Sequence, residues 1–403
     1  MRLSHSIRNT WLVVALASCA IGTPTGGDAE VTSAPVRFIP TLAGTQPESG
    51  DKGVTTIVVG RKGEVKTLRA ALEKSTNALK IEELPLIDAC GLELSPSKRD
   101  AVTHLPAVAA VWVIPDPTFG AVYLRIIKAL EYNIRTTSGV TPVNMSLGPP
   151  DEWKPFAFDR DEPMNLAARV AGEHRKVLVI AAGNGGPAPG SLSPWCGTDL
   201  VVCVGASTSD GTTVASFSGR GHLSGQGEGP TVVAAGVDVV VPHPAAVPKS
   251  SVEQAAERRS PEFQRMPLEK QAIYTVDTGT SVATAQVTAI AAQVVFFLDQ
   301  LSRVDGVQSF EVDYEATERE ALSATLIRMV GQVVKDDGKT WSVRYPVEVS
   351  PRMVKQLIMD MAVPVRGCGI TACGSGFVSV EMARKYFGRF GVAETALQIL
   401  KVL

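Results

Sequence analysis

A chemical reading of this 403-residue chain turns on Ser281. It stands in the stretch YTVDTGTSVATAQVTAIAAQVVFF, Tyr274 to Phe297, where a β-prone run meets a turn at Thr278-Gly279-Thr280 and then an apolar segment. Val282, Ala283, Ala285, Val287, Ala289, Ile290, Ala291, Ala292, Val294, Val295 and Phe296 fall on every side of a helical wheel, the pattern of a helix inside a large core. Ser281 is therefore expected at or just inside the first turn of a buried helix, where free N–H groups and the helix dipole favour negative charge. A serine there serves as an N-cap or, given a partner base, as a nucleophile aimed at a carbonyl. Upstream, Val177-Leu-Val-Ile-Ala-Ala-Gly-Asn184-Gly-Gly reads as a buried parallel strand running into a glycine turn that presents the Asn184 amide. Val143-Asn-Met-Ser146-Leu-Gly148 reads as a second strand ending in small residues.

Together with Val201-Val-Cys-Val-Gly-Ala206 and Ala215-Ser-Phe-Ser218, these segments resemble, in order, the subtilisin-like serine peptidase family. The resemblance covers roughly residues 119–298 and resumes over 351–385. It implies an α/β fold, a subtilisin-like parallel sheet flanked by helices and here shortened. It also implies that Ser281 is the nucleophile and Asn184 the side-chain donor of the oxyanion hole. Ser146, Leu147 and Gly148, with Ala181, Ala182 and Gly183, then match the segments flanking a peptide-binding groove. The departures are specific: Ala285 stands where the family places a proline and Gln286 where it places a histidine. The strand end Asp-Ser/Thr-Gly and the helix start His-Gly-Thr-His, which carry the family's acid and base, are not found.

The elements around this site divide the chain. Residues 1–21 read as an export signal, with Arg2 and Arg8 before a short apolar run, and Leu16-Ala-Ser-Cys19 resembles a lipobox whose Cys19 would carry lipid. Residues 22–53, rich in Gly, Pro, Thr and Ser, read as a flexible tether. Residues 54–116 give the order β-α-β-β-α-β of a small ferredoxin-like domain; its strands include two around Cys90-Gly91, and Leu94-Ser-Pro…Asp116 resembles the family's propeptide domain. Residues 117–403 form the larger domain, with insertions at 246–272, read as a solvated excursion, and at 302–350, read as a helix over 316–330 and a hairpin turning at Asp336-Asp337-Gly338. The run 232–241 is expected to be a fourth parallel strand.

Composition narrows the partners. A net charge of −2, with 20% charged residues and no basic stripe, points away from nucleic acid. Once Cys19 is set aside, five cysteines remain; Cys368 and Cys373, flanking a short glycine-containing loop, are the favoured disulfide, and Cys196 could pair with Cys203. Neither a metal site nor a cofactor is expected, because no histidine or carboxylate accompanies the cysteines at ligand spacing.

The expected protein is an exported, lipid-anchored homologue in the bacterial cell envelope that binds peptide or protein in its groove and cuts it poorly. Without a base, a serine peptidase loses about 10⁶ in turnover and keeps about 10³–10⁴ over water. Two alternatives stand beside it. One is an active endopeptidase with a compressed Asp88–His104–Ser281 triad. The other is a non-catalytic envelope scaffold acting through the insertions. His174, His222 and His243 are read as solvated.

Overall fold

The computed structural model describes residues 33–38, 53–78, 80–114, 117–148, 159–221, 229–244, 246–315 and 331–388. The signal and Cys19, the helix expected over 316–330, His222 and residues 389–403 lie outside the described residues. The chain divides into two compact units, residues 1–139 with 152–178, and residues 140–151 with 179–403.

The first unit contains β1 Val36–Phe38, β2 Val54–Gly60, α1 Val65–Thr76, β3 Ile81–Leu84, β4 Ala89–Leu94, α2 Pro96–Thr103 and β5 Val108–Ile114, then α3 Pro117–Thr136 and α4 Pro163–Glu173. Strands β2 to β5 pair antiparallel in the order β5-β2-β4-β3, the ferredoxin-like arrangement. Val58, Leu68, Leu72, Leu92, Val102 and Val111 fill the core between this sheet and helices α1 and α2. Helix α3 buries Tyr123, Ile127 and Leu130. It approaches β2 so closely that a Cβ on Gly120 would stand 2.4 Å from Thr55 Oγ1.

Two expectations are corrected in this unit. Within the segment read as a tether, Val36–Phe38 forms a strand parallel to β5. There Arg37 lies 5.3 Å from the Trp112 ring centroid and donates to Asp159 at 2.9 Å, so the edge of β5 holds the segment. Cys90-Gly91 lies inside β4 and not between strands. The reversal is made by a 3₁₀ turn at Pro85–Ile87 and by Asp88 in the left-handed region (φ 49°).

The second unit is built on β6 Thr141–Met145, the part of β7 Lys176–Ala181 from Val179 on, β8 Val202–Ser207 and β9 Val232–Ala235, in the order β6-β7-β8-β9. Strands β7, β8 and β9 run parallel, and every residue of β7 and β8 is buried, as in a sheet covered on both faces. The run 232–241 does not continue as one strand. Gly236 N–H bonds Ser207 O (2.9 Å) and Asp238 adopts φ 48°, which turns the chain away from the sheet. It resumes as β10 Val239–Pro242, paired antiparallel with β11 Tyr274–Asp277.

Between those strands the excursion is folded: α5 Ser251–Arg259, α6 Pro261–Gln264 and α7 Leu268–Gln271. Ala256, Phe263 and Val276 form its core. Lys249 braces it by donating to Gln271 O (2.7 Å), pairing with Glu257 and lying 4.9 Å from the Phe263 ring. His243 is not solvated: its side chain is 8% exposed, and its ring lies against Val247 O and Glu253.

Helix α8 Thr280–Ser302 then packs against β6, β8 and β9. By length and composition it could cross a bilayer, yet Ala283, Val287, Ile290, Ala291, Val294 and Leu298 are buried in the unit. After it come β12 Ser309–Glu315, β13 Gln332–Asp336 and β14 Thr340–Pro346, an antiparallel sheet in the order β12-β14-β13. The hairpin falls where its turn residues predict, and β12 is an addition to the expectation. Helices α9 Pro351–Met361, α10 Ile370–Cys373 and α11 Val380–Phe387 complete the described chain. Phe310 stacks on Tyr345, and the Tyr314 and Tyr386 hydroxyls lie 2.8 Å apart, which seats this sheet on α11.

Candidate active site

Strand β11 delivers the chain to the turn before Ser281, and the corner after β9 holds that turn, since Gly279 N–H donates to Gly236 O (2.8 Å). Strand β7 ends at Ala181; Ala182 N–H bonds Val204 O, and Gly183 at φ 91° swings the chain so that Asn184 faces the start of α8. There Thr280 donates twice to Asn184 Oδ1, from its backbone N–H (2.9 Å) and from its hydroxyl (2.8 Å). Two donors on one oxygen fix the amide's orientation and direct its NH₂ group the other way. Thr280 is a site residue that the sequence reading missed; the signal was a second hydroxyl beside Ser281.

Ser281 is half-buried in the first turn of α8. Its hydroxyl donates to Ser146 O (3.2 Å), and the Ser146 hydroxyl donates to Ser281 O (2.7 Å). A peptide carbonyl holds a hydroxyl but is far too weak a base to take its proton at neutral pH. Asp88 and His104 belong to the first unit and are engaged there. Asp88 Oδ1 accepts from Gly63 N–H (2.8 Å), and burial pushes its carboxyl up while that bond pulls it down. His104 caps α2, with Nδ1 2.9 Å from Asp100 O. The Ser281 hydroxyl is given to Ser146 O within the second unit. Gln286, at the position of a family histidine, donates to Ala235 O (2.7 Å), and Ala285 is exposed.

The two candidate wall segments lie beside a third. Ser193 N–H donates to Ala182 O (2.8 Å), and a Cβ on Gly148 would meet only Ser193 Oγ, at 3.6 Å. Ser146, Leu147 and Gly148 are half-buried, and Ala181 and Ala182 are fully buried behind Gly183.

The favoured disulfide is corrected. Cys196 and Cys203 are bonded, their Cα atoms 5.3 Å apart, because the 3₁₀ turn Pro194–Cys196 lies against the start of β8. Cys368 and Cys373 are free thiols. Both are directed at Gly369 O, Cys373 at 3.2 Å from within α10 and Cys368 at 3.7 Å. Among the described residues, no group of three or more His, Cys, Asp or Glu side chains comes together as a metal site.

A serine in the first turn of a buried helix, an asparagine amide held on the residue before it and a parallel sheet against that helix make up the site's frame. Residues 118–336 match the model of the subtilase family, so the chain belongs to that family. It is 32% identical over 104 residues to the serine protease AprX of Bacillus subtilis, a match spanning 24% of this chain and 23% of that protein. The epidermin leader peptide processing serine protease of Staphylococcus aureus is 10% identical, with 85% of this chain and 100% of that chain covered at a TM-score of 0.45. The prenylagaramide maturation protease PagA is 18% identical, with 64% and 66% covered at a TM-score of 0.35.

Proposed function

We propose that this chain is an exported, lipid-anchored subtilase homologue that binds peptide or unfolded protein segments along Ser146–Gly148 and Ala181–Gly183 and hydrolyses them poorly. The observation that carries the reading is the Ser281 hydroxyl resting on Ser146 O, an acceptor that cannot serve as general base. Asn184 is fixed through Thr280 beside the start of α8, so the groove's shape and affinity are kept while turnover is lost. The name of AprX, a serine protease, supports a polypeptide ligand over a small molecule. Anchoring rests on Leu16-Ala-Ser-Cys19 and places the protein in the bacterial envelope.

The test is a peptide-library binding measurement with hydrolysis followed by mass spectrometry on the same samples. Binding with little or no cleavage is expected, and Gly148→Trp should abolish it, since the position has room for a Cβ and the ring would then fill the groove. Binding that survives Gly148→Trp would move recognition to the insertions and favour the scaffold reading. Fast, Ser281-dependent cleavage would make the chain an active endopeptidase. Anchoring is tested separately: a clickable fatty acid should label the wild type and not Cys19→Ser, and equal labelling of both refutes the lipid.

A further inference from the structure

Ser281 is tied to β6 by more than its own hydroxyl. Asn144 lies on β6 and Ser146 two residues further on, so in extended chain their side chains leave on the same side. On α8, Ser281, Thr284 and Thr288 follow the spacing i, i+3, i+7 and share one face of an otherwise apolar helix. These faces meet in a continuous series. Thr288 Oγ1 donates to Asn144 Oδ1 (3.1 Å), Asn144 Nδ2 donates to Ser146 Oγ (3.1 Å), and Ser146 Oγ donates to Ser281 O (2.7 Å). Ser281 Oγ completes it by donating to Ser146 O (3.2 Å). The hydrogens are consistent: Ser146 receives one and shares its own between Ser281 O (2.7 Å) and Asn144 Oδ1 (3.2 Å), so the Asn144 oxygen accepts from Thr288 and Ser146 while its NH₂ donates once to Ser146. Thr288 is buried, and its hydroxyl shares its hydrogen between Asn144 Oδ1 and Thr284 O (2.8 Å).

We infer that Asn144 and Ser146 are positioning residues for Ser281. Their hydrogen bonds set the depth and rotation of the first turn of α8, and so the place of the Ser281 hydroxyl beside the Ser146–Gly148 wall. The inference rests on the proposed peptide-binding reading only in naming what lies along that wall. It also separates two bonds with different fates. A ligand that displaces the Ser281 hydroxyl from Ser146 O leaves the Ser146 hydroxyl on Ser281 O, so the turn is held while the site is filled.

The experiment uses the full chain and compares Ser146→Ala, Ser146→Thr and Asn144→Ala. It reads amide hydrogen exchange over 281–285 and, in parallel, affinity for a peptide selected from the library. Loss of one partly buried hydrogen bond should speed exchange over 281–285 about five- to tenfold in Ser146→Ala and Asn144→Ala and weaken peptide binding, with exchange in β8 unchanged. Ser146→Thr, which keeps the hydroxyl, should restore both. Exchange in Ser146→Ala equal to the wild type, or Ser146→Thr as impaired as Ser146→Ala, overturns the inference. Should either alanine variant fail to fold, near-isosteric Thr288→Val reads the far end of the series: faster exchange over 281–285 supports it and unchanged exchange overturns it. A wild type that binds no peptide would defeat the proposed function, while the exchange comparison would still decide the positioning role.

Discussion

At Ser281 the structure pairs a hydroxyl with a backbone oxygen, which fixes its direction without increasing its nucleophilicity. If binding comes from the groove and the Asn184 amide, Ser281→Ala should keep the peptide affinity of the wild type within about a factor of three, or roughly 0.7 kcal/mol. Loss of all binding would mean that the hydroxyl itself contacts the ligand. A second residue carries a pH signature in the first unit. Glu162, the N-cap of α4, is fully buried; it accepts from Asn165 N–H (3.0 Å) and from the Tyr123 hydroxyl. Burial pushes its carboxyl up to about 8, against the pull of the Asn165 and Met164 amides. The unfolded chain ionises this group near 4.5 and the folded chain only near 8. The stability it contributes is therefore fully present below about pH 4.5 and is lost as pH rises to about 8. Glu162→Gln mimics the neutral acid, so it should match the wild type near pH 4.5 and exceed it by on the order of a few kcal/mol at pH 9. Urea unfolding at the two pH values checks this, and an equal offset at both would show that Glu162 is ionised in the fold throughout.

The elements that aim these residues depend on one corner. Gly236 joins β8, β9 and the turn before Ser281, and a Cβ there would lie 2.7 Å from Ala206 Cβ and 2.8 Å from Gly279 O. Gly236→Ala should destabilise by about 1–3 kcal/mol through overpacking and displace the Thr280 bonds to Asn184; an unchanged melting curve would contradict it. The disulfide is likewise an element-scale brace. With its ends seven positions apart in the chain, Cys196–Cys203 should contribute about 2–3 kcal/mol, lost on reduction in the wild type and already absent from a Cys196→Ala/Cys203→Ala variant. Much of this scale was legible in the sequence. Continuous apolar runs mark β7 and β8 because both faces are covered, and the all-round apolar helix gave α8. What was not legible depends on partners distant in the chain. Strand β12 shows the alternation Phe310, Val312, Tyr314 in its burial, yet it becomes recognisable only once β14 and α11 supply what it packs against. The break between β9 and β10 follows from Gly236 meeting Ser207 and Gly279. The disulfide was set by where a 3₁₀ turn meets a strand, which local spacing around Cys368 and Cys373 does not reveal. At the site, Ser281 and Asn184 could be named from their motifs, whereas Thr280, Asn144 and Thr288 act only through the packing of α8 on the strand ends.

Across the whole chain, the small sheet and helices α3 and α4 belong to one compact unit, with Gly120 seated on Thr55 and the 3₁₀ turn Pro85–Ile87 beside α4. Removing residues 54–116 would uncover the face of α3 where Gly120 lies against Thr55 and Leu124 against Gly91, at about 25 cal/mol per Å² of apolar surface. The protein recovered from its native source should therefore retain that segment, as its mass would show. A species beginning near residue 117 and dependent on Ser281 would instead mean self-processing. The central claim, that this subtilase holds its serine without activating it, is tested most directly by the rate at which a fluorophosphonate labels Ser281 in the purified full chain. The account predicts slow labelling, close to that of an unactivated serine and unchanged by His104→Ala or His222→Ala. Rapid labelling of Ser281, abolished by either histidine substitution, would contradict it.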